Sequence, residues 1–239
     1  MKETLFIAHR GYSQFEKENT LVAFSAAGAI KEFYGIETDV HVTTDNHYIT
    51  IHDDNVYRVT SDTVDLNVRN NTFETVRSVK LADVDGSLNR VDLRVPELCE
   101  YLRVCKKYNK VAIIELKHDY SKTQLEEIVS IVKNEEMLNL SVFISFHLNN
   151  LIILREILPT QPAQWLLCEF KEEHMETLLK YNLDVDAHYR SIDKDKIDLC
   201  HKNNIKVNIW TVNEQEVADK YIEMGVDFIT TNWIYKTTK

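Results

Sequence analysis

Apolar and polar positions along the chain alternate between two periods. Short apolar runs mark strands, and apolar residues at three- and four-residue spacing mark helices. Residues 4–9 form a short apolar run. Residues 19–33 follow with helical spacing through Leu21, Phe24, Ala27, Ala29 and Ile30. Asn19 or Thr20 offers a side-chain oxygen as the N-cap. Residues 35–43 read as a strand and 96–109 as a helix, with Pro96 in its first turn, where a missing amide costs nothing. Residues 110–117 are the next strand and 122–138 the next helix. The rhythm continues as strand and helix pairs over 141–147 and 148–158, 163–169 and 172–181, 183–188 and 194–203, and 206–213 and 214–224. Pro159 ends the first of these helices and Gly225 caps the last. Residues 226–231 are the final strand, with only a short tail after it.

Eight expected strands with helices between most of them imply parallel pairing through crossovers. Eight such units in 239 residues match an α/β chain folded as a (β/α)8 TIM barrel, which typically takes ~250 residues. The eighth helix would be truncated, and a doubly wound open sheet is the competing architecture. Residues 53–95 lie where a short strand-to-helix loop belongs. A connection of that length implies a functional cap or a small inserted module after the second barrel strand. The expected organisation is one barrel domain over 1–239 with an insertion at about 53–95.

The strand at 35–42 breaks the apolar habit of a barrel strand, which is buried on both faces. Side chains alternate along it, so Glu37, Asp39 and His41 share one face while Ile36, Thr38, Val40 and Val42 share the other. The apolar set suits the helices, which leaves carboxylates pointing at the barrel axis, where they are costly unless paired or metal-bound. In the next strand Glu115 and Lys117 share a face with Ile113. All fall at C-terminal halves of strands, the end where barrel active sites lie. Three carboxylates from neighbouring strands form an all-oxygen set suited to Mg2+ or Ca2+. Spacing alone leaves a metal site and a barrel-lining ion-pair network both open.

His9 ends the first strand and is followed by Arg10. His52 ends the apolar run at 48–51 and is followed by Asp53 and Asp54. Two histidines beside a carboxylate cluster can divide acid and base roles near neutral pH. Arg10 can bind an anionic oxygen with two donors, and Lys117 as a point charge. His147 and His188 also lie at strand ends with reach to the pocket, whereas His47, His118, His174 and His201 read as surface or loop residues.

Composition removes other chemistries. The 38 acidic and 28 basic side chains leave a net charge of −10, which argues against a nucleic-acid binder that displaces phosphate counterions. The five glycines are too scattered for a phosphate-cradling or dinucleotide loop. No Gly-x-Ser-x-Gly elbow and no His-Glu-x-x-His helix occurs. With 44% apolar residues the chain can build a core, yet no stretch reaches the ~18 residues of a membrane span. The apolar run at 5–8 is short for a signal-peptide core. Four cysteines without a Cys-x-x-Cys pair sit in apolar-periodic segments and read as buried free thiols. The expectation is a soluble protein of the cytoplasm.

Taken in order, His9-Arg10-Gly11, Glu18-Asn19-Thr20, Glu37-x-Asp39-Val40-x-x-Thr43-x-Asp45, His52-Asp53 and Arg58-x-Thr60 resemble the glycerophosphodiester phosphodiesterases. Pro96-Glu97-Leu98, Ile114-Glu115-Leu116-Lys117, Ser145-Phe146, Trp210-Thr211-Val212-Asn213 and Gly225-Val226-Asp227 extend the resemblance from residue 7 to about 231. It implies a (β/α)8 barrel that hydrolyses glycerophosphodiesters to glycerol 3-phosphate and an alcohol. By the same resemblance Glu37, Asp39 and Glu115 bind one divalent cation, Mg2+ or Ca2+. His9 and His52 are then the acid/base pair, Arg10 and Lys117 hold the phosphate, and Trp210 is an apolar wall of the pocket. The partner implied is a small glycerophosphodiester, with no nucleic acid and no membrane span. Lys17, Asn46 and Asn232 depart from the family's usual proline, glycine and aspartate, which bears on loop geometry and headgroup preference. A lysophospholipid substrate on the same site and a barrel that binds a phosphometabolite without turnover are the alternatives. The former needs an apolar groove, and Val64, Leu66, Phe73, Val76, Val79 and Leu81 are expected to pack the insert itself.

Overall fold

The computed structural model describes residues 3–236. Its strands are β1 (Leu5–Ala8), β2 (Phe33–Val42), β3 (Tyr48–Thr50), β4 (Val111–Leu116), β5 (Ser141–Ser145), β6 (Ala163–Leu167), β7 (Asp184–His188), β8 (Val207–Trp210) and β9 (Phe228–Thr231). Its helices are α1 (Leu21–Ala29), α2 (Phe73–Ser78), α3 (Leu98–Tyr108), α4 (Lys122–Asn134), α5 (Leu148–Ile157), α6 (His174–Lys180), α7 (Lys194–Lys202) and α8 (Gln215–Met224). The sheet runs β1-β9-β8-β7-β6-β5-β4-β2 and closes through a β1–β2 pairing, all of it parallel. This is the (β/α)8 barrel, and among the described residues no helix follows β9.

The ninth strand, β3, was not among the eight expected barrel strands. It pairs antiparallel with the outer half of β2, Val40 against Thr50 and Val42 against Tyr48. Three residues form it because β2 continues past the barrel rim and leaves an edge that the returning chain satisfies. Ile51 N–H then donates to Asp39 O at 3.0 Å, which brings His52 to the rim above the carboxylates.

Alternation along β2 sorts its side chains as the pattern requires. Ile36, Val40 and Val42 join the large apolar layer between barrel and helices. Inside the barrel Ile7, Val111, Ile113, Ile144, Leu166 and Phe228 form a separate apolar plug. Charged side chains crown that plug at the C-terminal strand ends. Ile51, Val56, Val59, Val68, Val76, Val79, Leu81, Leu93 and Val95 belong to a further cluster around the 53–95 segment, joined by Ile49 of β3.

Three local expectations are corrected. The first helix ends at Ala29 rather than continuing to Phe33, because Phe33 already pairs with Phe6 as the first residue of β2. Its N-cap is Thr20, whose Oγ1 accepts from Ala23 N–H at 3.3 Å. Pro96 lies before the first turn of α3. Glu97 is the cap, closing a capping box with Glu100, and the Pro96 carbonyl accepts from Thr50 N–H at 2.8 Å. Gly225 caps α8 in the left-handed region as expected, at φ 89°, where a side chain would be strained. All four cysteines are free, but only Cys105 and Cys200 are buried, and Cys168 is exposed. No helix among the described residues is long and apolar enough to cross a membrane.

Candidate active site

The parallel register of β2 on β4 sets Asp39 directly beside Glu115. Two residues earlier on β2, Glu37 points into the same space. One oxygen of each of these three carboxylates lies within 4.8 Å of the others, and all three side chains are buried. Glu37 Oε1 and Asp39 Oδ1 accept no hydrogen bond among the described residues. Lys117 Nζ stands 2.9 Å from Glu115 Oε1 and 3.3 Å from Asp39 Oδ1, the latter an ion pair without hydrogen-bond geometry.

Electrostatics express the same shortage of positive charge. Burial, then the neighbouring Asp39 and Glu115, pushes the Glu37 carboxyl well above its ordinary value. Burial, then Asp39, pushes Glu115 up to about 7. Burial acts on Asp39 in the same direction, but Arg10, Lys117, His52 and the Asn19 amide outweigh it and hold Asp39 ionised. Three carboxylates thus share two cationic side chains, and two of them tend to take up protons. A divalent cation in that space relieves the repulsion and satisfies the orphaned oxygens. The residues present fit a hard, oxygen-ligated ion.

The chain entering from β1 supplies the next layer. Gly11 turns at φ 80°, and a Cβ there would sit 2.6 Å from the Ala23 carbonyl carbon, so the turn requires glycine. The turn lets Arg10 N–H donate to Glu37 Oε2 at 2.8 Å. The Arg10 side chain pairs with Glu18 at 2.9 Å and lies 3.3 Å from Asp39 Oδ2. Asn19, left-handed at φ 54°, donates from Nδ2 to Asp39 Oδ2 and accepts from Thr38 Oγ1, both at 2.8 Å.

The two histidines face the same cavity from different elements. His9 follows β1 and Asn232 follows β9, so neighbouring strand ends bring them together. His9 Nδ1 lies 2.8 Å from Asn232 Oδ1; a carbonyl oxygen accepts, so the proton is on Nδ1 and Nε2 carries the lone pair. That Nε2 is 4.0 Å from Glu37 Oε2. Burial, then Arg10, lowers the His9 pKa to about 4. His52 has a carboxylate partner instead, Asp53 Oδ1 at 2.5 Å from Nδ1. Arg58, from the inserted segment, donates from Nε to Asp53 at 2.7 Å and from both terminal nitrogens to Glu18 at 2.8 Å. One continuous chain, His52-Asp53-Arg58-Glu18-Arg10, therefore fixes the outer histidine to the carboxylate centre.

His9, Arg10, Glu37, His52, Glu115, Lys117 and Trp210 all line one cavity of about 440 Å³. Trp210 stands edge-on to Phe146 at 5.5 Å and to His188 at 5.3 Å, and its indole N–H donates to Asp186 O at 3.1 Å. His147 and His188 are not among the residues lining that cavity. His147 pairs with Asp119 at 3.1 Å. His118, read from sequence as a loop residue, packs against the buried His41.

Sequence reading missed Asp186, which lines the cavity floor. It is buried, its Oδ1 has no hydrogen-bond partner among the described residues, and burial with Glu115 nearby keeps its carboxyl protonated-prone, well above the ordinary range. A signal existed, because Asp186 lies among Val185, Ala187 and an inward alternation like that of β2. Glu18 entered only as a motif residue and Asn19 as a motif residue and N-cap candidate, and their contacts across the chain carry no local pattern.

Comparison with known proteins agrees with this geometry. Residues 9–236 match the model of the glycerophosphoryl diester phosphodiesterase family. The chain is 28% identical over 234 residues to a glycerophosphodiester phosphodiesterase of Caldanaerobacter subterraneus, covering 96% of this chain and 94% of that one. It superposes on a crystal structure of a glycerophosphodiester phosphodiesterase from Parabacteroides distasonis with a TM-score of 0.80 at 27% identity, covering 97% and 94% of the two chains. An Oleispira antarctica phosphodiesterase in complex with its product sn-glycerol-3-phosphate shares the fold, with a TM-score of 0.88 at 22% identity over 97% and 94% of the chains.

Proposed function

Because this chain belongs to the glycerophosphoryl diester phosphodiesterase family, we propose that it hydrolyses glycerophosphodiesters to glycerol 3-phosphate and an alcohol, with His9 and His52 as proton carriers and a divalent cation on Glu37, Asp39 and Glu115. The observation that carries the reading is a cluster of three buried carboxylates, two of them with orphaned oxygens, beside a cavity lined by Glu37, Glu115 and two histidines with different partners. The cation, Mg2+ or Ca2+, supplies neutralisation of phosphoryl charge when bound.

The remaining chemistry falls to the protein. Lys117 Nζ and the Arg10 guanidinium, both at the cavity wall, attract the phosphoryl oxygens and stabilise charge that grows in the transition state. His9 is neutral with its lone pair on Nε2, which suits it to take the proton of the attacking hydroxyl. That hydroxyl is the neighbouring one of the glycerol moiety; the cyclic phosphate so formed is opened later by water. His52, whose Nδ1 the Asp53 carboxylate holds at 2.5 Å, protonates the leaving alcohol. Trp210 and Phe146 form an apolar part of the cavity wall.

Residues 53–95 belong to this reading as a module inserted in a single barrel domain, contributing Arg58 to the site. Four free thiols, one exposed, suit a reducing cytoplasm. Release of glycerol 3-phosphate from glycerophosphocholine and glycerophosphoethanolamine, with Mg2+, Ca2+ or EDTA, tests the function. Release that EDTA stops and either ion restores is the expected result. Silence on both esters, with the cation bound, refutes this substrate class.

A further inference from the structure

A second group of ligand atoms lies at the rim, apart from the carboxylate centre. His41 Nδ1 is 3.0 Å from His118 Nε2 and 3.7 Å from Asp54 Oδ1, and His118 Nε2 is 3.1 Å from the same Asp54 oxygen. Ligands held about 2.0–2.2 Å from a tetrahedral ion stand ~3.3–3.6 Å from one another, and the three separations bracket that spacing. His41 is buried at 1% exposure, and its Nε2 lies 3.1 Å from the His52 carbonyl. A carbonyl accepts, so Nε2 carries the proton and Nδ1 presents its lone pair to His118 and Asp54. An imidazole anchored through its far nitrogen to a backbone carbonyl is the arrangement that orients metal-ligating histidines.

We propose that His41 Nδ1, His118 Nε2 and Asp54 form a second cation site, selective for a borderline ion of the Zn2+ class. Two imidazole nitrogens and one carboxylate favour such an ion over Mg2+ or Ca2+, which take all-oxygen sets. The site leaves a fourth position open. One present contact opposes the bound form: Arg69 Nη1 donates to His118 Nδ1 at 3.3 Å, which places the His118 proton on Nε2. Binding moves that proton to Nδ1 by exchange with solvent and turns Arg69 away, and Arg69 is exposed and free to turn. The bound ion joins β2, the second residue after β4 and the segment 52–54. It thereby pins the segment that carries His52, whose carbonyl already accepts from His41.

This inference stands apart from the catalytic reading, and its readout is metal content rather than turnover. Zn2+ uptake is measured by equilibrium dialysis in excess Mg2+, which fills the carboxylate centre. The proteins are wild type, Glu115→Gln, His118→Ala and Asp54→Asn, each checked by circular dichroism. One equivalent of Zn2+ is expected in wild type and in Glu115→Gln, with affinity more than ~10-fold weaker in both His118→Ala and Asp54→Asn. Wild-type uptake in either of these two variants overturns the site, and so does loss of uptake in Glu115→Gln. Asp54 is exposed at the rim, so its amide variant keeps the test open if His118→Ala fails to fold. Co2+ in place of Zn2+ adds a spectrum that reports nitrogen ligation in the variants that bind.

Discussion

His9 and His52 have the same side chain and opposite surroundings, and the difference assigns their roles. Asn232 offers His9 a neutral oxygen rather than a carboxylate, and burial, then Arg10, outweighs that bond and lowers the pKa to about 4. His9 therefore stays unprotonated, hence available as a base, down to that pH. At saturating cation, whose positive charge pushes the same way, the acid limb of kcat/KM is expected at or below about 4 rather than near the ordinary histidine value of ~6.5. Asn232→Asp places a carboxylate against Nδ1 and favours the charged ring, so the limb moves upward. A limb that stays in place in this variant removes His9 from the base role. Glu115 makes a second pH prediction. With its carboxyl raised to about 7 before a cation binds, protons compete with the ion. Calorimetric affinity for Mg2+ or Ca2+ is expected to fall as pH is lowered through 7, and Glu115→Gln to abolish that dependence together with most of the binding.

Among elements, the strands were the most legible part of the chain. The anomaly of charged residues inside β2 and β4 pointed inward, and the register of Asp39 beside Glu115 follows from their parallel pairing. What local pattern could not supply was pairing between distant segments. Three residues of β3 satisfy the projecting end of β2, and Arg58 reaches Glu18 and Asp53 across the rim. Neither contact leaves a period in the sequence. Arg58→Ala should leave the barrel folded but release Asp53 and Glu18. Turnover is then expected to fall ~10- to 100-fold, since small misplacements of catalytic groups cost that much. Packing of α1 on α3 makes a separate prediction. A Cβ at Gly28 would stand 2.5 Å from Tyr108 Cδ2, so Gly28→Ala should destabilise the fold by ~1–3 kcal/mol. Chemical denaturation measures it; an unchanged midpoint contradicts the tight helix contact.

For the whole molecule, the eight-unit rhythm announced the barrel, and barrel geometry then dictated that the site lie at the C-terminal strand ends. Asp186 was hidden because one aspartate in a short strand is weak evidence without its neighbours. Only closure of the sheet turns β7, three strands from β4, toward the same interior, where burial and Glu115 raise the Asp186 carboxyl. The net charge of −10 favours entry of a cation and opposes an anionic diester, so substrate affinity depends on the local positive charge of Arg10 and Lys117. The account rests on two histidines with distinct jobs, and leaving-group chemistry separates them most directly. The measurement is kcat for His52→Ala and His9→Ala on glycerophosphocholine and on the p-nitrophenyl ester of glycerol 3-phosphate, whose phenolate leaves with little need of a proton. His52→Ala is expected to lose ~10²- to 10⁴-fold on the choline ester and to recover most of it on the nitrophenyl ester, while His9→Ala loses comparably on both. Equal losses for His52→Ala on the two esters, or near wild-type rates for either variant, would contradict the assignment.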